Sequence, residues 1–181
     1  NVVLSAATGI TTRAVVTSGG TITVASSGAT GDVSLEGNIQ ATNTGLAVAT
    51  PAISVSSGRD LFVGSANASA TSITSLTSGA IVLNAARDID LKRSDAGNST
   101  ANTAINASGN LAITAGGAIA KTDPNSLTAS GQTIDLSYGT TLVNTVLFGP
   151  AVAMRITKTS GDLVVGSQTG PALVFNATAG D

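Results

Sequence analysis

The sequence predicts an all-β fold, a parallel β-helix of roughly six to eight turns, and three observations carry that reading. Short apolar–x–apolar triplets recur along the whole chain, as at Ile22-Thr23-Val24, Leu61-Phe62-Val63 and Leu111-Ala112-Ile113. Ser-Gly pairs punctuate them at Ser27-Gly28, Ser57-Gly58, Ser78-Gly79, Ser108-Gly109, Ser130-Gly131 and Ser160-Gly161. The side chains are small and neutral: 42% of residues are hydrophobic, 2% aromatic and 10% charged, against about 25% charged in ordinary domains. A core so poor in aromatics must be narrow, filled mostly by Val, Ile, Leu and Ala. Ser and Thr, about a quarter of the chain, suit a surface of hydroxyl ladders between stacked strands.

The pairs set a repeat. Gly28, Gly58, Gly79, Gly109, Gly131 and Gly161 follow one another at 30, 21, 30, 22 and 30 residues, so residues 1–181 read as one β-helix segment of alternating units of about 30 and 21 residues. The units opening at Gly28, Gly79 and Gly131 carry Val33-Ser34-Leu35, Ile81-Val82-Leu83 and Ile134-Asp135-Leu136. Those opening at Gly58, Gly109 and Gly161 carry the Leu61 and Leu111 triplets and Leu163-Val164-Val165. Further strands are expected at Ile53-Ser54-Val55, Ile89-Asp90-Leu91, Ile105, Ile119, Ile156 and Leu173-Val174-Phe175, with neighbouring triplets often 7 or 8 residues apart. No stretch has the 3.6-residue periodicity and caps of a helix. Asn-Gly and Asp-Gly hairpin signals are missing, and a register kept over some 50 residues is what stacking demands and an antiparallel sandwich does not. Arg59-Asp60, Arg87-Asp88, Asn110 and Asp162 each precede a strand's first apolar residue, and are expected to be corner residues bonding local backbone. Asp95–Thr103 and Leu142–Ala153 fit the pattern poorly and read as longer loops.

Composition also excludes functions. A net charge of −2 gives no basic field for nucleic acid or anionic membrane, and no apolar run reaches the roughly 18 residues of a membrane span. With no Cys and no His, disulfides, thiolate or imidazole metal sites and the common nucleophile–base pairs are unavailable. Asp88 and Asp90 share a strand with Arg87, Lys92 and Arg93 close by, and are expected to form a solvated, mixed-charge face rather than an acid–base pair. Gly116-Gly117 lacks the third Gly and the Asp of a calcium-binding nonapeptide. No catalytic, cofactor-binding or metal-binding residue is therefore assigned, and the chain is not expected to be an enzyme. Asn67, Asn98, Asn106 and Asn176 stand in Asn-x-Ser/Thr sequons, no more than chance supplies in so Ser- and Thr-rich a chain. Phe62, Tyr138, Phe148 and Phe175 are expected to pack in the core or an interface rather than form a ligand platform.

Two runs carry a family resemblance: Ala107-Ser108-Gly109-Asn110-Leu111-Ala112-Ile113-Thr114-Ala115-Gly116-Gly117-Ala118-Ile119, and Gly79-Ala80-Ile81-Val82-Leu83-Asn84-Ala85-Ala86-Arg87-Asp88-Ile89-Asp90-Leu91. Together with most of the chain they resemble the filamentous haemagglutinin type of repeat, found in large exoproteins secreted by the two-partner route in Gram-negative bacteria. The resemblance implies a right-handed β-helix forming the shaft of an extracellular or cell-surface adhesin, haemagglutinin or contact-dependent toxin-delivery protein. That family's secretion domain carries Asn-Pro-Asn motifs, and only Asp123-Pro124-Asn125 comes near one here, so this chain is not that domain. No leader-like segment follows Asn1, the expectation for a processed or excised piece.

The function expected is structural. The segment is either part of a long adhesin shaft or a subunit stacking end to end into a filament; a carbohydrate- or receptor-binding module is the third reading. No cap is expected near Asn1 or Asp181, so the expected partners are further turns of the same protein or copies of itself.

Overall fold

A computed structural model gives the chain's architecture and describes residues 1–13, 15–17, 19–64, 71–93, 103–123, 127–142, 146–161 and 175–177. Every regular element among these residues is a strand, and every strand pairing is parallel. The first turn runs β1 (Val2–Ala6), β2 (Ile10–Thr12) and β3 (Val15–Thr17); the second runs β4 (Ile22–Ser26), β5 (Val33–Leu35) and β6 (Ile39–Ala41). The third is β7 (Pro51–Ser57), β8 (Leu61–Val63) and β9 (Ser72–Ser75), and the fourth β10 (Ala80–Ala85), β11 (Ile89–Asp90) and β12 (Thr103–Ala107). The fifth is β13 (Leu111–Ala115), β14 (Ile119–Ala120) and β15 (Leu127–Ser130). The sixth holds β16 (Thr133–Tyr138) and β17 (Val146–Ala151), and the last described strands are β18 (Ala153–Lys158) and β19 (Phe175–Ala177).

Each strand pairs with its counterpart one turn on, which sorts them into three sheets. The first is β1-β4-β7-β10-β13-β16-β18, the second β2-β5-β8-β11-β14, and the third β3-β6-β9-β12-β15-β17-β19. The fold is thus the expected parallel β-helix, seven strands deep in two of its sheets. At about 4.8 Å between strands, seven layers span roughly 29 Å.

Register explains why this composition folds so. Val2, Ile22, Ile53, Ile81, Leu111, Ile134 and Met154 stack one above another, as do Leu4, Val24, Val55, Leu83, Ile113, Leu136 and Ile156. The second sheet stacks Ile10, Val33, Leu61, Ile89 and Ile119, and a bridge continues it to Leu142. These columns meet in one core that draws on all three sheets. Most of its aliphatic side chains are fully buried, each worth about 1.5–3 kcal/mol relative to exposure. Alternate residues face out, so the buried–partly exposed pattern of β4, β5 and β8 repeats strand by strand.

The first-sheet column advances by 20, 31, 28, 30, 23 and 20 residues per turn. Gly28 and Gly58 follow first-sheet strands, whereas Gly79, Gly109 and Gly131 precede them. The 30-residue spacings from Gly28 to Gly58 and from Gly79 to Gly109 are whole turns, and the 21 from Gly58 to Gly79 joins two corners of one turn. A shorter offset is steadier. From the first inward residue of the first sheet to that of the second is eight residues at Val2–Ile10, Ile53–Leu61, Ile81–Ile89, Leu111–Ile119 and Ile134–Leu142; only Ile22–Val33 departs.

This tight corner explains Gly58 and Gly116. A Cβ on Gly58 would lie 2.1 Å from the Gly28 carbonyl oxygen, and one on Gly116 2.1 Å from that of Ala86. Successive turns approach too closely there for any side chain.

One expectation fails outright. Much of Leu142–Ala153 is not a loop, because Val146–Ala151 is strand β17, paired on both sides. Its register shifts between Phe148 and Ala151, where Gly149 takes φ 136° and Pro150 has no N–H to give a ladder. The bulge lets a strand pass through a sequence that reads as a breaker. Residues 95–102, most of the other expected loop, lie outside the described residues, as does the Leu163 triplet.

Candidate functional site

The polar groups that distinguish this solenoid gather at the corner leading into the second sheet. Asp32, Asp60 and Asp88 occupy the same corner in successive turns, each just before an inward apolar residue. Arg59 grips the Asp32 carboxylate, its Nε donating to Oδ1 at 2.7 Å and its Nη2 to Oδ2. Arg87 grips Asp60 identically, with Nε to Oδ1 at 2.7 Å and Nη2 to Oδ2. Each carboxylate also accepts a backbone N–H from the turn above. Asp60 N donates to Asp32 Oδ1 at 3.2 Å, Asp88 N to Asp60 Oδ1 at 3.2 Å, and Ala118 N to Asp88 Oδ1 at 2.7 Å.

These side chains therefore stitch one turn to the next rather than bonding local backbone. The reason is geometric: in a parallel stack the equivalent corner is one strand spacing away, about 4.8 Å, within reach of a bidentate Arg–carboxylate pair. The stitch ends at Asp88, since Gly117 stands where the next arginine would be. Asn110 lies at a different corner, preceding β13, where its N–H donates to the Val48 carbonyl; Asp162 lies outside the described residues. The Arg59 guanidinium holds the Asp32 carboxyl below the usual carboxylate range. Their partner carboxylates raise Arg59 and Arg87 in turn.

The mixed-charge strand is also not the solvated face its sequence suggests. The Asp88 side chain is half-exposed, but Asp90 is 7% exposed and Lys92 1%. Asp90 Oδ1 accepts from Lys92 N at 3.1 Å and Thr122 N at 3.2 Å, and Oδ2 from the Thr122 hydroxyl at 2.6 Å. Lys92 Nζ lies 3.8 Å from Asp123 Oδ1, both side chains fully withdrawn from water. The Lys121 ammonium donates to the Asp123 carbonyl oxygen, and burial holds it below the ordinary lysine value. The sequence gives no sign of this cluster. Ala120-Lys121-Thr122-Asp123 comes to lie over Asp90-Leu91-Lys92-Arg93 only once the register of the fourth and fifth turns is known.

The aromatics divide. Tyr138 and Phe148 are core residues, as expected. Phe62 is on the outward face of β8 with the Arg93 guanidinium 4.4 Å from its ring centroid. Of the sequons, Asn106 lies exposed on β12, where its Oδ1 accepts from the Ser130 hydroxyl at 2.9 Å. Asn67 and Asn98, and the side chain of Asn176, lie outside the described residues. Hydroxyl–amide contacts recur between turns elsewhere, as from Ser72 to Asn38 at 3.0 Å.

Among the described residues no group of three or more carboxylates could hold a metal ion, and no helix is long and apolar enough to cross a membrane. The first turn is an edge: β1, β2 and β3 each pair on one side only, and the inward Val2, Leu4 and Ile10 are only partly buried. What this arrangement offers chemically is stiffness and repeated backbone edges. No family model matches the chain, and neither the curated proteins nor the solved structures include a match to it.

Proposed function

We propose that this chain is a structural segment of an extracellular rod, the shaft of a large secreted bacterial adhesin or haemagglutinin-like protein. The observation that carries the reading is the unbroken stack itself. Aliphatic columns run through successive turns, and the ionic groups of the second-sheet corner are used to tie turn to turn rather than to form a reactive centre. Such a stack resists bending because each turn is bonded along its strands to the next. The resemblance of Gly79–Leu91 and Ala107–Ile119 to filamentous haemagglutinin repeats supports the extracellular setting.

A second reading is a subunit that stacks end to end into a filament, copy pairing with copy through strand edges as each turn pairs with the next within the chain.

Antibody raised against this chain and gold-labelled on intact producing cells tests the proposal. Label at the outer surface, standing off the envelope, is expected, and label confined to the cytoplasm would contradict it. Sedimentation of the purified chain over a wide concentration range separates the two forms. A mass independent of concentration supports the shaft segment, and growth into long species supports the filament.

A further inference from the structure

The fourth and fifth turns meet at a pair of buried reactive groups. Asp123 N donates to the Lys92 carbonyl oxygen at 3.0 Å, which ties the two residues together across neighbouring turns. Lys92 is 1% exposed and the Asp123 side chain 0%, with Nζ 3.8 Å from Oδ1. Leu91, fully buried, adjoins Lys92 in the chain. Asp90, a second buried carboxyl group, is held in the same corner by Lys92 N and by Thr122.

We propose that Lys92 and Asp123 condense to an amide, a covalent cross-link between the fourth and fifth turns. The reaction takes the pair as amine and carboxylic acid, one proton having passed from Nζ to the carboxylate 3.8 Å away. The amine nitrogen attacks Cγ, the Nζ–Cγ bond forms and a Cγ–O bond breaks. The departing oxygen leaves as water, taking one proton from the acid and one from the amine. Asp90, held in the same corner by Lys92 N and Thr122, is the group assigned to relay those protons, and no oxidant or cofactor is needed. The product is uncharged, so the interior that penalises the ion pair accepts the amide. In a chain without cysteine, such a bond closes the loop from 92 to 123 as a disulfide would. The inference stands on the geometry of these side chains and does not depend on the shaft reading.

Intact-mass measurement of the folded, full-length chain, followed by tryptic mapping, tests it. The expected mass is one water below that of the bare sequence. The linked product appears as a branched species joining residues 88–93 to residues 122–155, with no cleavage after Lys92. Lys92→Arg, which keeps charge but cannot make this bond, restores the full mass. Asp90→Asn slows appearance of the branched species while circular dichroism stays that of a β-fold. A wild-type mass equal to the bare sequence overturns the proposal. So does loss of water confined to a linear peptide, the mark of a cyclic imide at an aspartate.

Discussion

Asp60 is the residue on which the corner depends most. Its carboxylate is nearly buried, receives the Arg87 fork and accepts Asp88 N from the turn above. Asp60→Ala removes both and leaves the part-buried Asp88 N–H without that acceptor, so a loss of about 1–3 kcal/mol is expected in urea unfolding. Arg155→Ala is the contrast. Its bidentate pair with Asp135 is open to solvent, and its removal is expected to leave the urea midpoint unchanged. Acid sensitivity follows from Asp32, whose carboxyl is depressed first by its hydrogen bond from Arg59. A group with a lowered folded value stabilises fully above its unfolded value, about 3.9, and loses that contribution as pH falls through the folded one. Stability should thus fall below about pH 4, and Arg59→Ala should flatten that limb. The sequence marks Arg59, Asp60, Arg87 and Asp88 as corner residues, since each precedes an apolar strand start. It does not give their partners, which sit some 28 residues away and are known only with the register.

Strands are legible where alternation is strong and hidden where it is interrupted. The triplets at Ile22, Val33, Leu61, Ile81, Leu111 and Ile134 all lie in strands with the expected inward face. β9 reads Ser72-Ile73-Thr74-Ser75, with a single aliphatic residue, and takes its order from β6 and β12 on either side. β17 is masked by Gly149-Pro150, two residues that break strands in isolation but here form a bulge between paired neighbours. Alternation itself is open to test in β10. Leu83→Ala, at a fully buried position, should cost about 2–5 kcal/mol. Val82→Ala, on the outward face of the same strand, should cost under about 1 kcal/mol in the same urea titration. Equal effects would mean that the strand faces are misassigned.

For the whole molecule, the legible quantity is the architecture and the illegible one is the turn. Gly spacing near 30 marks whole turns at Gly28–Gly58 and Gly79–Gly109. Turn length nevertheless varies from 20 to 31 residues, because only the offset from first to second sheet is held near eight. The variation is absorbed mainly after the second sheet, where connections can lengthen without disturbing the columns. A shaft needs only the columns to persist.

Engineered disulfides along one outward column test that persistence most directly, in a chain with no cysteine to interfere. Thr23, Ser54, Val82, Ala112 and Asp135 stack in register on the first sheet. Neighbours are about 4.8 Å apart and next-but-one residues about twice that, while a disulfide spans about 4.4–6.8 Å between Cα atoms. The account predicts that cysteine pairs at 23/54, 54/82, 82/112 and 112/135 cross-link under mild oxidation, and that pairs at 23/82 and 54/112 do not. Cross-linking of the distant pairs, or failure of the adjacent ones in folded protein, would contradict a single stack of parallel turns.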